Sequence, residues 1–124
     1  MHTILIVDDE FGIAESVGSL FSDEGFRVFT AVNGKQGLEK LAEIEPDIVL
    51  IDYMMPVMNG LEMLSALRAQ PKRAQLPAVL MSGVAESIVK QDPLGKGYDA
   101  FVRKPFDAFT ILAIVRKLLG IAGT

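Results

Sequence analysis

The chain has no cysteine and no tryptophan, and its one histidine is His2. Without thiols there is no disulfide, no thiolate zinc site and no cysteine nucleophile. A lone imidazole excludes a multi-histidine metal cage. No apolar run approaches the ~18 residues of a membrane-crossing helix, and Met1 leads straight into strand-like sequence rather than a signal peptide. A basic excess is missing too: 12 Lys and Arg stand against 16 Asp and Glu, a formal net charge of −4. That balance does not suit a phosphate backbone, so direct nucleic-acid binding is not expected. A cytoplasmic chain without membrane association is the expectation that remains. Its 124 residues are 50% hydrophobic and 23% charged, the make-up of one globular domain over residues 1–124.

The apolar pattern alternates between two periods. Thr3–Val7 (TILIV) and Ile48–Ile51 (IVLI) are nearly unbroken apolar runs, as strands buried on both faces require. Pro77–Met81 and Ala100–Val102 are shorter versions, and Arg27–Val32 alternates like a strand nearer an edge. Between them the spacing turns helical. Ile13, Val17, Leu20 and Phe21 make one stripe of a helix ending near Gly25. Leu38, Leu41 and Ala42 mark a second helix halted by Pro46, and Leu61, Leu64 and Leu67 a third ending before Pro71. The last runs from an Asp107 N-cap through Leu119 to Gly120. Ala85–Gly97, interrupted by Pro93 and two glycines, predicts only a short or broken helix. Strands alternating with helices call for right-handed crossovers and a parallel sheet. The expected fold is α/β, a doubly wound three-layer sandwich of the flavodoxin-like kind. If strand order reverses beside the first strand, its five-stranded parallel sheet would run in order 2-1-3-4-5 with helices on both faces.

Ligands of such sheets bind outside the carboxyl ends of the strands, where strand order reverses. The first strand finishes in Asp8-Asp9-Glu10, the third in Asp52, the fourth in Ser82-Gly83 and the fifth in Lys104-Pro105. With the first and third strands adjacent, Asp8, Asp9 and Asp52 converge. Carboxylates that close repel unless one is protonated or a hard cation joins them. Mg2+ (or Mn2+) suits a small, partly open site of oxygen ligands. Asp52, with no second acid beside it, reads as a nucleophile toward a phosphoryl group. Asp8 and Asp9 would hold the metal, one directly and one through water, while Ser82 and Lys104 meet the phosphoryl oxygens. Taken singly, each has an ordinary reading: a capping aspartate pair, a turn serine, a surface lysine. Their joint placement at matching strand ends separates the two readings. Met54, Met55, Met58 and Met63 read as adaptable packing, and His2 carries no role.

In order, Val7-Asp8-Asp9-Glu10, Asp52-Tyr53-Met54-Met55-Pro56-Val57-Met58-Asn59-Gly60, Met81-Ser82-Gly83 and Lys104-Pro105-Phe106 closely resemble the receiver domain of two-component response regulators, chemotaxis receivers among them. The resemblance covers essentially the whole chain. It implies that Asp52 is the phosphoacceptor for a sensor histidine kinase or histidine phosphotransfer protein. Asp8, Asp9, Asp52 and the backbone carbonyl of Met54 would ligate Mg2+, and Ser82 and Lys104 would bind the acyl phosphate. Ser82 and Phe101 stand at the switch positions, and as phenylalanine residue 101 has no ring hydroxyl. The Lys104–Pro105 bond is expected to be cis. Phosphorylation would shift a conformational equilibrium; hydrolysis would be slow, and turnover not the purpose.

The face made by the fourth helix, fifth strand and fifth helix is the expected surface for an output partner or a second copy. Phe109, Ile111, Leu112, Ile114, Val115, Leu118 and Leu119 exceed a single helical stripe, so Ile111→Asp or Ile114→Asp is expected to break self-association without unfolding. Three other functions compare less well. A Mg2+-dependent aspartyl phosphatase usually carries a second Asp two residues after the nucleophile, where this chain has Met54. A flavodoxin-like cofactor binder would meet repulsion at Asp8-Asp9-Glu10. A receiver-like module that takes no phosphate would lack an acid or the lysine, and all are here.

Overall fold

The strands form where unbroken apolar runs leave both faces to be covered. A computed structural model describes residues 1–121; residues 122–124, the end of the expected unit, lie outside the described residues. The strands are β1 (Thr3–Val7), β2 (Arg27–Ala31), β3 (Ile48–Asp52), β4 (Ala78–Ser82) and β5 (Ala100–Arg103). They pair in parallel in the order β2-β1-β3-β4-β5, the expected one. β3 and β4 each run one residue past their apolar stretch, because the ladder continues through Asp52 opposite Met81 and Ser82 opposite Arg103. β4 opens at Ala78 rather than at Pro77, which has no N–H to give the ladder. β2 closes at Ala31 because the Val32 N–H turns to the Gln36 side chain at 2.8 Å, leading the chain into the next helix.

The connecting helices are α1 (Phe11–Asp23), α2 (Gly34–Ile44), α3 (Gly60–Arg68), α4 (Glu86–Val89) and α5 (Ala108–Leu119), with a 3-10 turn at Pro71–Arg73. α4 is a single turn, as Pro93 and its glycines foretold. Successive strand residues point to opposite faces, which gives two cores. Ile4, Ile6, Ile48, Leu50, Val79 and Met81 pack against α1 and α5. Leu5, Val7, Val49, Ile51 and Leu80 pack against Leu41 of α2, Leu61, Leu64 and Leu67 of α3 and Val89 of α4.

Two expectations need correction here. Ile111 is fully buried under the sheet, and Ile114 packs partly into the same core. A charge at Ile111 would therefore strike the fold and not a surface; the exposed large apolar residue of α5 is Phe109. The methionines also divide. Met63 is fully buried and Met55 and Met58 pack partly into the core, whereas Met54 lies 65% exposed after β3.

Candidate phosphoacceptor site

Three strand ends and one loop supply the site. β1 delivers Asp8, held by its N–H donating to the Ala31 carbonyl at 3.0 Å and by its Oδ1 accepting from the Glu10 N–H at 2.9 Å. β3 delivers Asp52 on its last residue. Beyond it the chain turns through Val57, a β-branched residue at φ 69, and the Met58 N–H reaches the Pro56 carbonyl at 2.7 Å. Gly60 then opens α3 against the back of the site: a Cβ there would come within 2.3 Å of the Asp52 carbonyl oxygen. Asn59 and Glu62 close a reciprocal capping box at that helix start. β5 leads to Lys104, whose N–H donates to the Ser82 carbonyl at 2.8 Å; the Lys104–Pro105 peptide bond is cis.

Asp8 and Asp52 are both buried, and the Lys104 ammonium lies between them. Nζ stands 2.9 Å from Asp8 Oδ2, 3.0 Å from Asp52 Oδ1 and 3.2 Å from Glu10 Oε1. Burial, and then the Asp8 charge, push the Asp52 carboxyl up to about 6, although Lys104 pulls the other way. Burial works against the Lys104 ammonium, but its bonds to Asp8 and Asp52 outweigh that and hold it firmly protonated, above its ordinary value. One carboxylate oxygen each from Asp8, Glu10 and Asp52 lies within 4.8 Å of the others. Such a set of hard oxygen donors fits a divalent cation of the Mg2+ class.

The expected residues divide as follows. Asp8, Asp52 and Lys104 meet directly. Asp9 is exposed and lies outside that group of converging oxygens, lining instead a cavity of about 200 Å³ beside Phe11 and Val32. Glu10, which sequence reasoning did not single out, joins the group; its place directly after the aspartate pair was the available signal. Ser82 is fully buried, and its hydroxyl accepts from the Val84 N–H at 3.0 Å and donates to the Val84 carbonyl at 2.9 Å. Phe101 is half-buried on β5, with its ring centroid 6.1 Å from that of Tyr98. Met54 follows in the loop two residues after Asp52.

An open parallel sheet with buried acids and a lysine at its topological switch point defines a class of small α/β protein built around a charged strand-end cleft. The response regulator receiver domain family matches residues 4–116, and the chain belongs to that family. It is 36% identical to the regulatory protein AtoC of Escherichia coli over 96% of this chain, though only 25% of AtoC is covered. It is 34% identical to sporulation initiation phosphotransferase F of Bacillus subtilis, over 94% of this chain and 92% of that protein. The structure superposes with a TM-score of 0.85 on the response regulator TrrA of Thermotoga maritima in complex with Mg2+-BeF, at 31% identity over 95% of this chain and 99% of TrrA. Against several other curated regulators, the chain spans about half of their length. Receivers of this family are generally signalling phosphoacceptors rather than turnover enzymes, and they bind Mg2+ at an acidic pocket. Among the described residues, no helix is long and apolar enough to cross a membrane.

Proposed function

We propose that Asp52 accepts a phosphoryl group from a phosphohistidine on a partner protein, in a Mg2+-dependent reaction. The modification then shifts a conformational equilibrium that controls partner binding. The observation that carries this reading is the buried Asp52 carboxylate 3.0 Å from the Lys104 ammonium, with Asp8 alongside. In the transfer, a bond forms from an Asp52 carboxylate oxygen to phosphorus while the P–N bond to the donor imidazole breaks and its nitrogen keeps the electron pair. With a pKa of about 6, Asp52 is mostly ionised at neutral pH and can act as the nucleophile. Lys104 exchanges its contact with Asp52 for one with a phosphoryl oxygen, so its charge stays paired. The Ser82 hydroxyl, now occupied by Val84, turns to another phosphoryl oxygen. Asp8, Asp9, Asp52 and the Met54 carbonyl would hold Mg2+, which when bound supplies positive charge to the phosphoryl oxygens.

The surroundings favour a protein donor. Among the described residues, five of the eight large apolar ones that stand exposed are Phe11, Val32, Met54, Val57 and Phe109, on loops and helix starts at the carboxyl ends of the strands. Such a rim around a charged cleft suits a partner with an apolar face carrying a histidine, as in a sensor kinase or histidine phosphotransfer protein. Reading residues 1–124 as one receiver unit rests on the single five-stranded sheet together with the match over residues 4–116. The α4, β5 and α5 face, where Ile88 is 51% exposed, is the proposed surface for an output partner or second copy. The test is incubation with acetyl phosphate, with and without Mg2+, followed by intact mass and peptide mapping. A labile phosphoryl adduct on Asp52 that requires Mg2+ is expected. No adduct, or one elsewhere, overturns the reading.

A further inference from the structure

α4 is one turn long, and its N-cap, Ala85, makes no side-chain hydrogen bond to it. Two attachments fasten this turn to the rest of the molecule. Val89 is buried in the core, and Glu86 Oε2 accepts a 2.8 Å hydrogen bond from the Tyr98 hydroxyl. Tyr98 lies two residues ahead of β5, with its ring against Phe101. Burial, and then the neighbouring Glu86, hold the phenol proton in place by raising its pKa to about 12. Only three residues, Gly83 to Ala85, separate Ser82 from Glu86. A shift of the Gly83–Ala85 backbone that carries Val84 away from the Ser82 hydroxyl therefore pulls on Glu86.

We propose that the Tyr98–Glu86 hydrogen bond is a latch that holds the β4–α4 loop in its unphosphorylated position. Tyr98 is thus a positioning residue for the chemistry at Asp52. Its hydroxyl gives α4 the polar tie to the β5 side that Phe101 lacks. The proposal rests on the phosphoacceptor reading and adds to it a specific hydrogen bond that opposes loop closure. Loss of the bond leaves no buried orphan, because the Glu86 side chain is 42% exposed.

The test compares the unaltered protein with Tyr98→Phe, Glu86→Ala and the double variant. Each is titrated with beryllium fluoride in saturating Mg2+, with binding read by fluorine NMR. Tyr98→Phe keeps the ring and removes only the hydroxyl. Each single variant is expected to bind the probe about three- to ten-fold more tightly, the range for losing one hydrogen bond that favours the unliganded state. The double variant should gain no more than either single one. Urea denaturation in the absence of probe establishes the folded fraction, and Glu86→Ala, which leaves the core intact, carries the test if Tyr98→Phe folds poorly. Affinities within two-fold of the unaltered protein, or gains that multiply in the double variant, overturn the latch. If the unaltered protein itself fails to bind the probe, the phosphoacceptor reading falls and the latch with it. Binding without any change in the variants removes the latch alone.

Discussion

Replacing Asp52 by Asn should make the protein more stable while removing the proposed phosphoacceptor. The carboxyl is raised from 3.8 to about 6 by burial and by Asp8, so the folded state resists its ionisation. A raised pKa contributes stability that is complete below about 3.8 and is lost as pH rises through about 6. At pH 7.5 the unaltered protein therefore carries a penalty of roughly 3 kcal/mol, at about 1.36 kcal/mol per pKa unit. Asparagine has the shape of the neutral acid and escapes that penalty. Urea denaturation of both proteins in EDTA, at pH 7.5 and at pH 4, measures it. The variant should be more stable by about 2–3 kcal/mol at pH 7.5, and the gap should close toward pH 4. Comparing the pair cancels the titration of acids remote from Asp52. A variant less stable at pH 7.5, or a gap that does not move with pH, refutes the claim that burial and Asp8 outweigh Lys104 at Asp52.

Lys104→Met removes the ammonium shared by two buried carboxylates and should cost about 3–5 kcal/mol at neutral pH. In urea denaturation that loss should shrink as pH falls toward about 6, because Asp52 without Lys104 takes up its proton at higher pH than in the unaltered protein; a pH-independent loss counts against it. Val57→Gly relieves a β-branched residue at φ 69 and should raise stability by about 1 kcal/mol, seen as a higher melting temperature. Calorimetric Mg2+ titration should find Asp9→Asn weakened about ten-fold, as the proposed ligand set requires; an unchanged affinity there, with a loss in Glu10→Gln, would make the converging Glu10 the third acid of the site instead. Ile111→Asp should abolish cooperative unfolding altogether, because it places a charge in a fully buried position.

The strands and the residues at their carboxyl ends were legible in the sequence because they depend on backbone periodicity, whereas the strand order that brings Asp8, Asp52 and Lys104 together came with the resemblance. A run such as Ile48–Ile51 has one way to bury both faces, and the residue after it must emerge at the carboxyl edge. The surface of α5 was less legible for the same reason. Its apolar residues wrap more than one stripe, and sequence cannot tell a second interface from a helix packed deeply against the sheet and α1; the full burial of Ile111 and Val115 selects the second. Tyr98 escaped notice because its partner Glu86 lies twelve residues earlier, across a loop whose path only the coordinates define.

Asp9 and Glu10 show where this kind of reading stops. Two consecutive acids after a strand leave the sheet in different directions, and the rotation of the loop decides which one faces the cleft. Here the Glu10 N–H bonds to Asp8, and its longer side chain reaches Lys104, while Asp9 lies over the cavity beside Phe11 and Val32. Lys104 thus pairs with Asp8, Glu10 and Asp52 at once, one positive charge among three carboxylates. A divalent ion held by Asp8 and Asp52 would supply further positive charge there and leave Lys104 available to a phosphoryl oxygen. The buried charge that costs stability at Asp52 also readies the site: pairing it with a proton or a metal ion relieves the cost, whereas a phosphoryl group would add negative charge for Lys104 and the metal to meet.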